Sequence, residues 1–224
     1  MPVIAIASQL AGDGKTIAED VAKRLGLSFL DHGNVLDKLA QHGFSLTEFA
    51  HLSHRNAAPP EKNWQLRKIG KIISSEILFL AQKNSMMLHS PYAPYLLGGV
   101  SHIPRIRVRT PTMQRAKNFA RANACDETQA FHLLRANDDR EAFILEACFG
   151  VEFPGRAEHF DLVADTGWLN VRDWTEQIVD LVQDPDFEPT ASSHAKLRTL
   201  ATEAACGHAI NGVGVGPCCP VTPC

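Results

Sequence analysis

The sequence predicts a three-layer α/β fold, a doubly wound parallel sheet of about five strands with helices on both faces. Three observations predict it. Short apolar runs alternate with stretches of helical periodicity, one helix-length segment separates the first two runs, and a glycine-rich turn joins the first run to that helix. A strand, a helix and a second strand at that spacing form a crossover unit, and crossover units build parallel sheets.

Val3-Ile4-Ala5-Ile6-Ala7 is the first strand, residues 17–25 an amphipathic helix, and Ser28-Phe29-Leu30-Asp31 the second strand. Residues 35–41 and 46–54 read as short helices broken at Gly43, and Ala57-Ala58-Pro59-Pro60 as a loop. Over 64–83, Ile69, Ile72, Ile73, Ile77 and Leu80 make a helical stripe. Met86-Met87-Leu88 is a third, very short candidate strand, and Ile106-Arg107-Val108-Arg109 a fourth. Pro111 stands where a helix begins that continues to residue 122. Asp126, with Glu127 in the first turn, opens another helix, and a separate one is expected over 138–148 before Gly150. Asp161-Leu162-Val163-Ala164-Asp165 is the last strand, after which Asn170 caps a helix through residue 182.

These elements place the main domain in residues 1–184. A linker and a helix over 192–205 fill residues 185–206, and a disordered tail of glycine, proline and cysteine is expected over 207–224. The chain has 224 residues, 45% of them hydrophobic, enough for a substantial core. A formal net charge of −3 gives no basic field for nucleic acid. There is no apolar run of about 18 residues to span a membrane and no basic-then-apolar start typical of a secretory signal. A cytoplasmic protein is the expectation. Cys125 and Cys148 fall in helix-like segments as reduced thiols, whereas Cys206, Cys218, Cys219 and Cys224, with His208, lack the paired spacing of a zinc site. His51 and His54 suggest no third ligand, and no G-x-S-x-G nucleophile turn occurs.

The chemistry concentrates in Gly12-Asp13-Gly14-Lys15-Thr16, directly between strand and helix. Glycines there let backbone N–H groups turn around a phosphate, and the helix start adds partial positive charge. Lys15 is placed to reach the β- and γ-phosphates, and Thr16 to offer its hydroxyl to Mg²⁺. The full pattern G-x-x-x-x-G-K-[ST] asks for glycine where this chain has Gln9. The competing reading is an ordinary glycine turn with Lys15 and Thr16 solvated.

With these residues in view, the chain from about 3 to 183 resembles the cytidylate kinase-like proteins of the P-loop nucleoside-monophosphate kinase group. Leu30-Asp31-His32-Gly33-Asn34-Val35 resembles the family's Asp-Thr-Gly element, and Arg107-Val108-Arg109-Thr110-Pro111 with Arg115 the strand and helix leading to its lid. Phe149-Gly150-Val151 is similar to the Tyr-Gly-Val/Asp stretch after the lid, and Phe160-Asp161-Leu162-Val163-Ala164-Asp165-Thr166 to the closing strand.

The resemblance implies a P-loop kinase fold with a helical lid at about 123–149 and phosphoryl transfer from ATP, with Mg²⁺, to a small phosphate acceptor. It implies Gly12, Asp13, Gly14, Lys15 and Thr16 as the donor site, and Lys15, Arg115 and Arg140 as catalytic, with Arg135 a further lid cation. Asp31, His32, Gly33 and His89 would hold the acceptor. Two acceptor-side arginines of the family pattern are replaced, one by Asp37 beside Lys38 and one within His89-Ser90-Pro91. Loss of such bidentate grips leaves His32 and His89 to carry part of the load. It also keeps open two alternatives, a catalytically weak or inactive nucleotide-binding regulatory protein and a kinase for another small metabolite. Nothing in the sequence gives the oligomeric state.

Overall fold

A computed structural model describes residues 2–41, 46–53 and 63–209. Five strands form one parallel sheet: β1 (Val3–Ser8), β2 (Ser28–Asp31), β3 (Met86–His89), β4 (Arg105–Arg109) and β5 (Leu162–Asp165), in the order β2-β3-β1-β4-β5. The doubly wound expectation is met. Met86 to His89 lies inside the sheet between β1 and β2, so its shortness hides a central strand.

Alternation along β1 explains the two cores. Ile4 and Ile6 face α1 (Gly14–Leu25) and α8 (Val171–Val182), meeting Ile17, Val21, Trp174 and Ile178. Val3 and Ala5 point the other way, into a core built on α4 (Asn63–Lys83). Its isoleucine stripe is fully buried there, together with Leu88, Ile144 and Leu145. The helix α2 (His32–Gln41) starts directly on β2, and α3 (Leu46–Leu52) follows it. Gly43, His54 and the Ala57–Pro60 loop lie outside the described residues, as does the side chain of His51.

The sequence reading misses α5 (Ala93–Leu96), a single turn begun by Pro94. It also splits one helix into two. After α6 (Thr112–Asn123), α7 runs unbroken as Glu127–Phe149, capped by the Asp126 carboxylate at its start and by left-handed Gly150 at its end. Asp138, read as a helix start, spends its carboxylate on Arg115 instead, so the helix has no reason to end there. Cys125 lies in the turn between α6 and α7, not in a helix. The final helix, α9 (Ala191–Ala209), packs on α4 and buries Leu197 in the main core. Residues 210–224, with Cys218, Cys219 and Cys224, are outside the described set. Among the described residues, no helix is long and apolar enough to cross a membrane.

Candidate functional site

In a sheet of this order, the carboxyl ends of β1, β3 and β4 meet where the strand order reverses, the point at which α/β proteins open a crevice. Every expected site residue lies at that end or on the α6–α7 pair above it.

The turn after β1 is tight. Gly14, the first residue of α1, is buried so close to Ser8 that a methyl group on it would collide with the Ser8 side chain. At Gly12, a Cβ would sit 3.0 Å from the Thr110 hydroxyl and 3.1 Å from the Gln9 carbonyl. These two glycines leave the backbone bare. Ala11 adopts a left-handed conformation, φ 59°, that normally suits glycine.

Asp13 does not project from the loop. Its carboxylate accepts hydrogen bonds from the hydroxyls of Thr166 (2.7 Å) and Thr110 (3.2 Å), while its N–H donates to Thr110 Oγ1 at 3.0 Å. The loop is therefore clasped to the ends of β4 and β5. The other side is held by α6 and α7: Asn118 donates to the Ala11 carbonyl (3.2 Å), Arg115 to the Leu10 carbonyl (3.3 Å), and Gln9 to Asp138 (3.3 Å). The Gly12 N–H is spent on the Gln9 carbonyl at 3.1 Å and that of Asp13 on Thr110, so the N–H groups at the start of α1, from Gly14 to Thr16, are those left for a ligand.

Lys15 is exposed and donates to Asp31 Oδ2 at 3.0 Å, with Glu19 4.0 Å away. The Asp31 hydrogen bond holds the ammonium above its ordinary range and the same bond holds the Asp31 carboxyl below its own. Asp31 also closes a reciprocal pair with Asn34, accepting its N–H at 3.1 Å and donating its own N–H to the Asn34 side chain at 3.0 Å. Gly33 is exposed in the first turn of α2, and Thr16 is exposed in the first turn of α1.

The strand register sets Asp31 opposite His89. His89 Nε2 and Ser8 Oγ are 2.8 Å apart, and its ring stacks on Phe29 at 6.3 Å. His32 meets Tyr92 edge-on at 5.1 Å and buries an Nδ1 that has no hydrogen-bond partner. Burial, above all, pushes both imidazoles down to about 4. Both are neutral at pH 7. Burial penalises the charged form, so these imidazoles can offer an acceptor hydrogen bonds but little charge.

Arg115 is not presented to solvent as a lid cation. It is 1% exposed, and its guanidinium grips Asp138 through two bonds of 3.0 and 2.6 Å. Arg140 is half-buried on α7 and donates to Asn137 Oδ1 at 2.6 Å. Arg135 is exposed, 6.0 Å from the Phe131 ring.

Asp13 is expected in the donor loop, but its clasp to Thr110 and Thr166 is not, because those partners are 97 and 153 positions away. Glu141 and Tyr95 carry no motif at all, yet with Ser8, Gln9 and Arg107 they line a cavity of about 210 Å³ beside the loop.

Comparison with known proteins agrees with this geometry. The model of the cytidylate kinase-like family matches residues 3–167. A cytidylate kinase from Ignicoccus hospitalis is 22% identical over 170 residues, which span 75% of this chain and 92% of that protein. Among solved structures, an uncharacterized protein from Eubacterium ventriosum superposes with a TM-score of 0.63 at 16% identity, covering 81% of this chain and 97% of its own. A shikimate kinase from Bacteroides thetaiotaomicron gives a TM-score of 0.52 at 7% identity, covering 82% and 99%. At such identities the likeness is one of fold.

Proposed function

Because the chain belongs to the cytidylate kinase-like family, we propose that it binds ATP with Mg²⁺ through residues 8–16 and transfers the terminal phosphoryl group to a small acceptor. The tight turn at Gly12 and Gly14 carries this reading, since a side chain at either would run into Ser8 or crowd Thr110 and Gln9 and force the loop out of its shape. Open amides at a helix start suit phosphate oxygens, Lys15 supplies the mobile cation, and exposed Thr16 offers the hydroxyl that suits Mg²⁺. The metal, when bound, neutralises phosphate charge. Lys15 must leave Asp31 to take part. Its side chain is 54% exposed and that of Asp31 29%, so the pair is weak enough to exchange for a phosphate.

Asp31, His32, Gly33 and His89 form the acceptor-side wall in this reading. Arg140, bonded to a neutral amide, keeps a full charge for the phosphoryl group. Arg115 acts as a positioning residue through the Leu10 carbonyl. The neutrality of His32 and His89 favours a second reading, a protein that holds nucleotide without efficient transfer.

Calorimetry separates binding from chemistry. MgATP should bind the wild type, and Lys15→Ala should weaken it about tenfold or more, as for a lost charge-assisted contact. Equal affinity in both would remove the donor site. A coupled ADP-release assay on the same preparations then distinguishes transfer from binding alone.

A further inference from the structure

The cavity between the end of β1, α5 and the inner face of α7 identifies the class of acceptor. Its volume of about 210 Å³ is below the ~300–1,000 Å³ of sites that enclose drug-sized ligands, too little for a sugar, a base and a phosphate together. Three ionisable groups decide its charge: Asp138, Glu141 and Arg107. Asp138 is already neutralised by Arg115, at 3.0 and 2.6 Å. Glu141 accepts from Asn137 at 3.0 Å and is half neutral near pH 7, its carboxyl pushed up to about 7 chiefly by burial.

Arg107 remains as the uncompensated cation: among the described residues no carboxylate forms an ion pair with it. It is also held still. Its guanidinium lies 5.6 Å from the Phe160 ring centroid and passes so close to Gly155 that a Cβ there would fall 2.6 Å from Nη1. Gly155, at φ 97°, leaves the room that the guanidinium uses. The register pairs Arg107 with Ala7, the residue before the loop's Ser8 and Gln9. An anion on Arg107 therefore lies alongside the donor loop.

We propose that this cavity, in place of the wall of Asp31, His32, Gly33 and His89, none of which lines it, is the acceptor site, and that its ligand is a small hydroxycarboxylic acid, its carboxylate on Arg107 and its hydroxyls toward Tyr95, Ser8 and Glu141, and not a nucleoside monophosphate. One free cation matches one carboxylate. A dianionic phosphate ester would bring a second charge for which the lining holds no second unpaired cation. The inference rests on the kinase reading above. In the transfer, a hydroxyl oxygen of the acid bonds to the γ-phosphorus of ATP as the bond from that phosphorus to the β,γ-bridging oxygen breaks. ADP and a phosphate ester result, and the hydroxyl proton is released to water.

The test is ADP release from MgATP with a library of small hydroxycarboxylates, including D-glycerate, gluconate and quinate, against CMP and inorganic phosphate. At least one acid should raise the rate about tenfold over water alone, and CMP should not. For that acid, Arg107→Met should raise KM about tenfold or more, the loss expected for a charged hydrogen-bond partner, and Arg107→Lys should recover part of it. MgATP affinity, read by calorimetry, should move less than twofold. If Arg107→Met does not fold, Tyr95→Phe gives the same comparison for the hydroxyl contact. Stimulation by CMP and no acid, or by nothing in a protein that binds MgATP, overturns the proposal. Absence of MgATP binding instead sinks the underlying kinase reading.

Discussion

Arg115 and Asp138 meet across the α6–α7 pair in a two-bond grip, and the same arginine reaches the carbonyl of Leu10 in the donor loop. Helix packing and loop shape are thereby set by one buried cation. Removing a single partner from a buried pair leaves an uncompensated charge, so Asp138→Ala should cost about 3–5 kcal/mol. Arg115→Met, which removes the charge itself, should cost less. Urea unfolding of the two variants checks the ranking.

Gln9 occupies the place of a glycine in the general phosphate-loop pattern, and its side chain donates to Asp138 at 3.3 Å. Restoring the pattern should therefore harm the protein. Gln9→Gly frees the loop's first residue and adds backbone entropy, and we expect MgATP binding to weaken by about three- to tenfold, equivalent to one net hydrogen bond. Tighter binding by the variant would show that Gln9 is a defect and no tie.

Glu141 makes stability fall as pH rises. Its carboxyl is pushed from an ordinary 4.5 up to about 7, so between those values the folded state holds a proton that the unfolded state has released. Glu141→Gln cannot lose that proton. At pH 8 the variant should be more stable than wild type by ~1–3 kcal/mol, and near pH 4 the difference should vanish. Denaturant midpoints at the two pH values decide this.

His32 and His89 act in the opposite sense. With folded values near 4 against an ordinary 6.5, the unfolded chain gains protons first as pH falls, and stability is lost from about 6.5 down to about 4. Between 4.5 and 6.5 two histidines outweigh one glutamate, so the net trend there is loss on acidification. Imidazole proton resonances of both residues should titrate near 4. Midpoints near 6.5 would make them available as cations and reopen their role at an acceptor phosphate.

Residues 123–149, the expected lid, are α7 with the turn before it, and the two ends of that helix should exchange amide hydrogens differently. Ile144 and Leu145 are anchored in the main core, whereas Ala130 and Leu134 belong to a small separate cluster with Ala116 and Ala120. Without nucleotide, residues 127–136 should exchange faster than 142–149, and MgATP should slow the former. Uniform protection in the free protein would make the helix a static element.

How much of this was legible depended on whether the controlling contact was local. Strand periodicity, the isoleucine stripe of α4 and the Asn170 cap each act within a few residues, and each is plain in the sequence. Met86-Met87-Leu88 has too few residues to show a period, and only its pairing with β1 and β2 makes it a strand. The break expected before residue 138 failed because an acidic residue can cap a helix or pair with a distant arginine, and local order does not tell which. The same blindness hid the Asp13 clasp and the neutral state of His32 and His89. Burial sets that state, and residue type does not report burial.

One feature of the outer helices bears on how the protein is cut and recombined. The family match ends at residue 167, before α8 and α9 begin. Yet Trp174 and Ile178 fill the core beneath one face of the sheet, and Leu197 fills the other, where Gln82 donates to its carbonyl at 3.3 Å and His102 meets Ser193 at 2.7 Å. The stretch matched by the family and the stretch that fills the core are thus different lengths of chain. A fragment or fusion drawn at the edge of the signature would strip both faces at once, and a swap between relatives must carry the last two helices along.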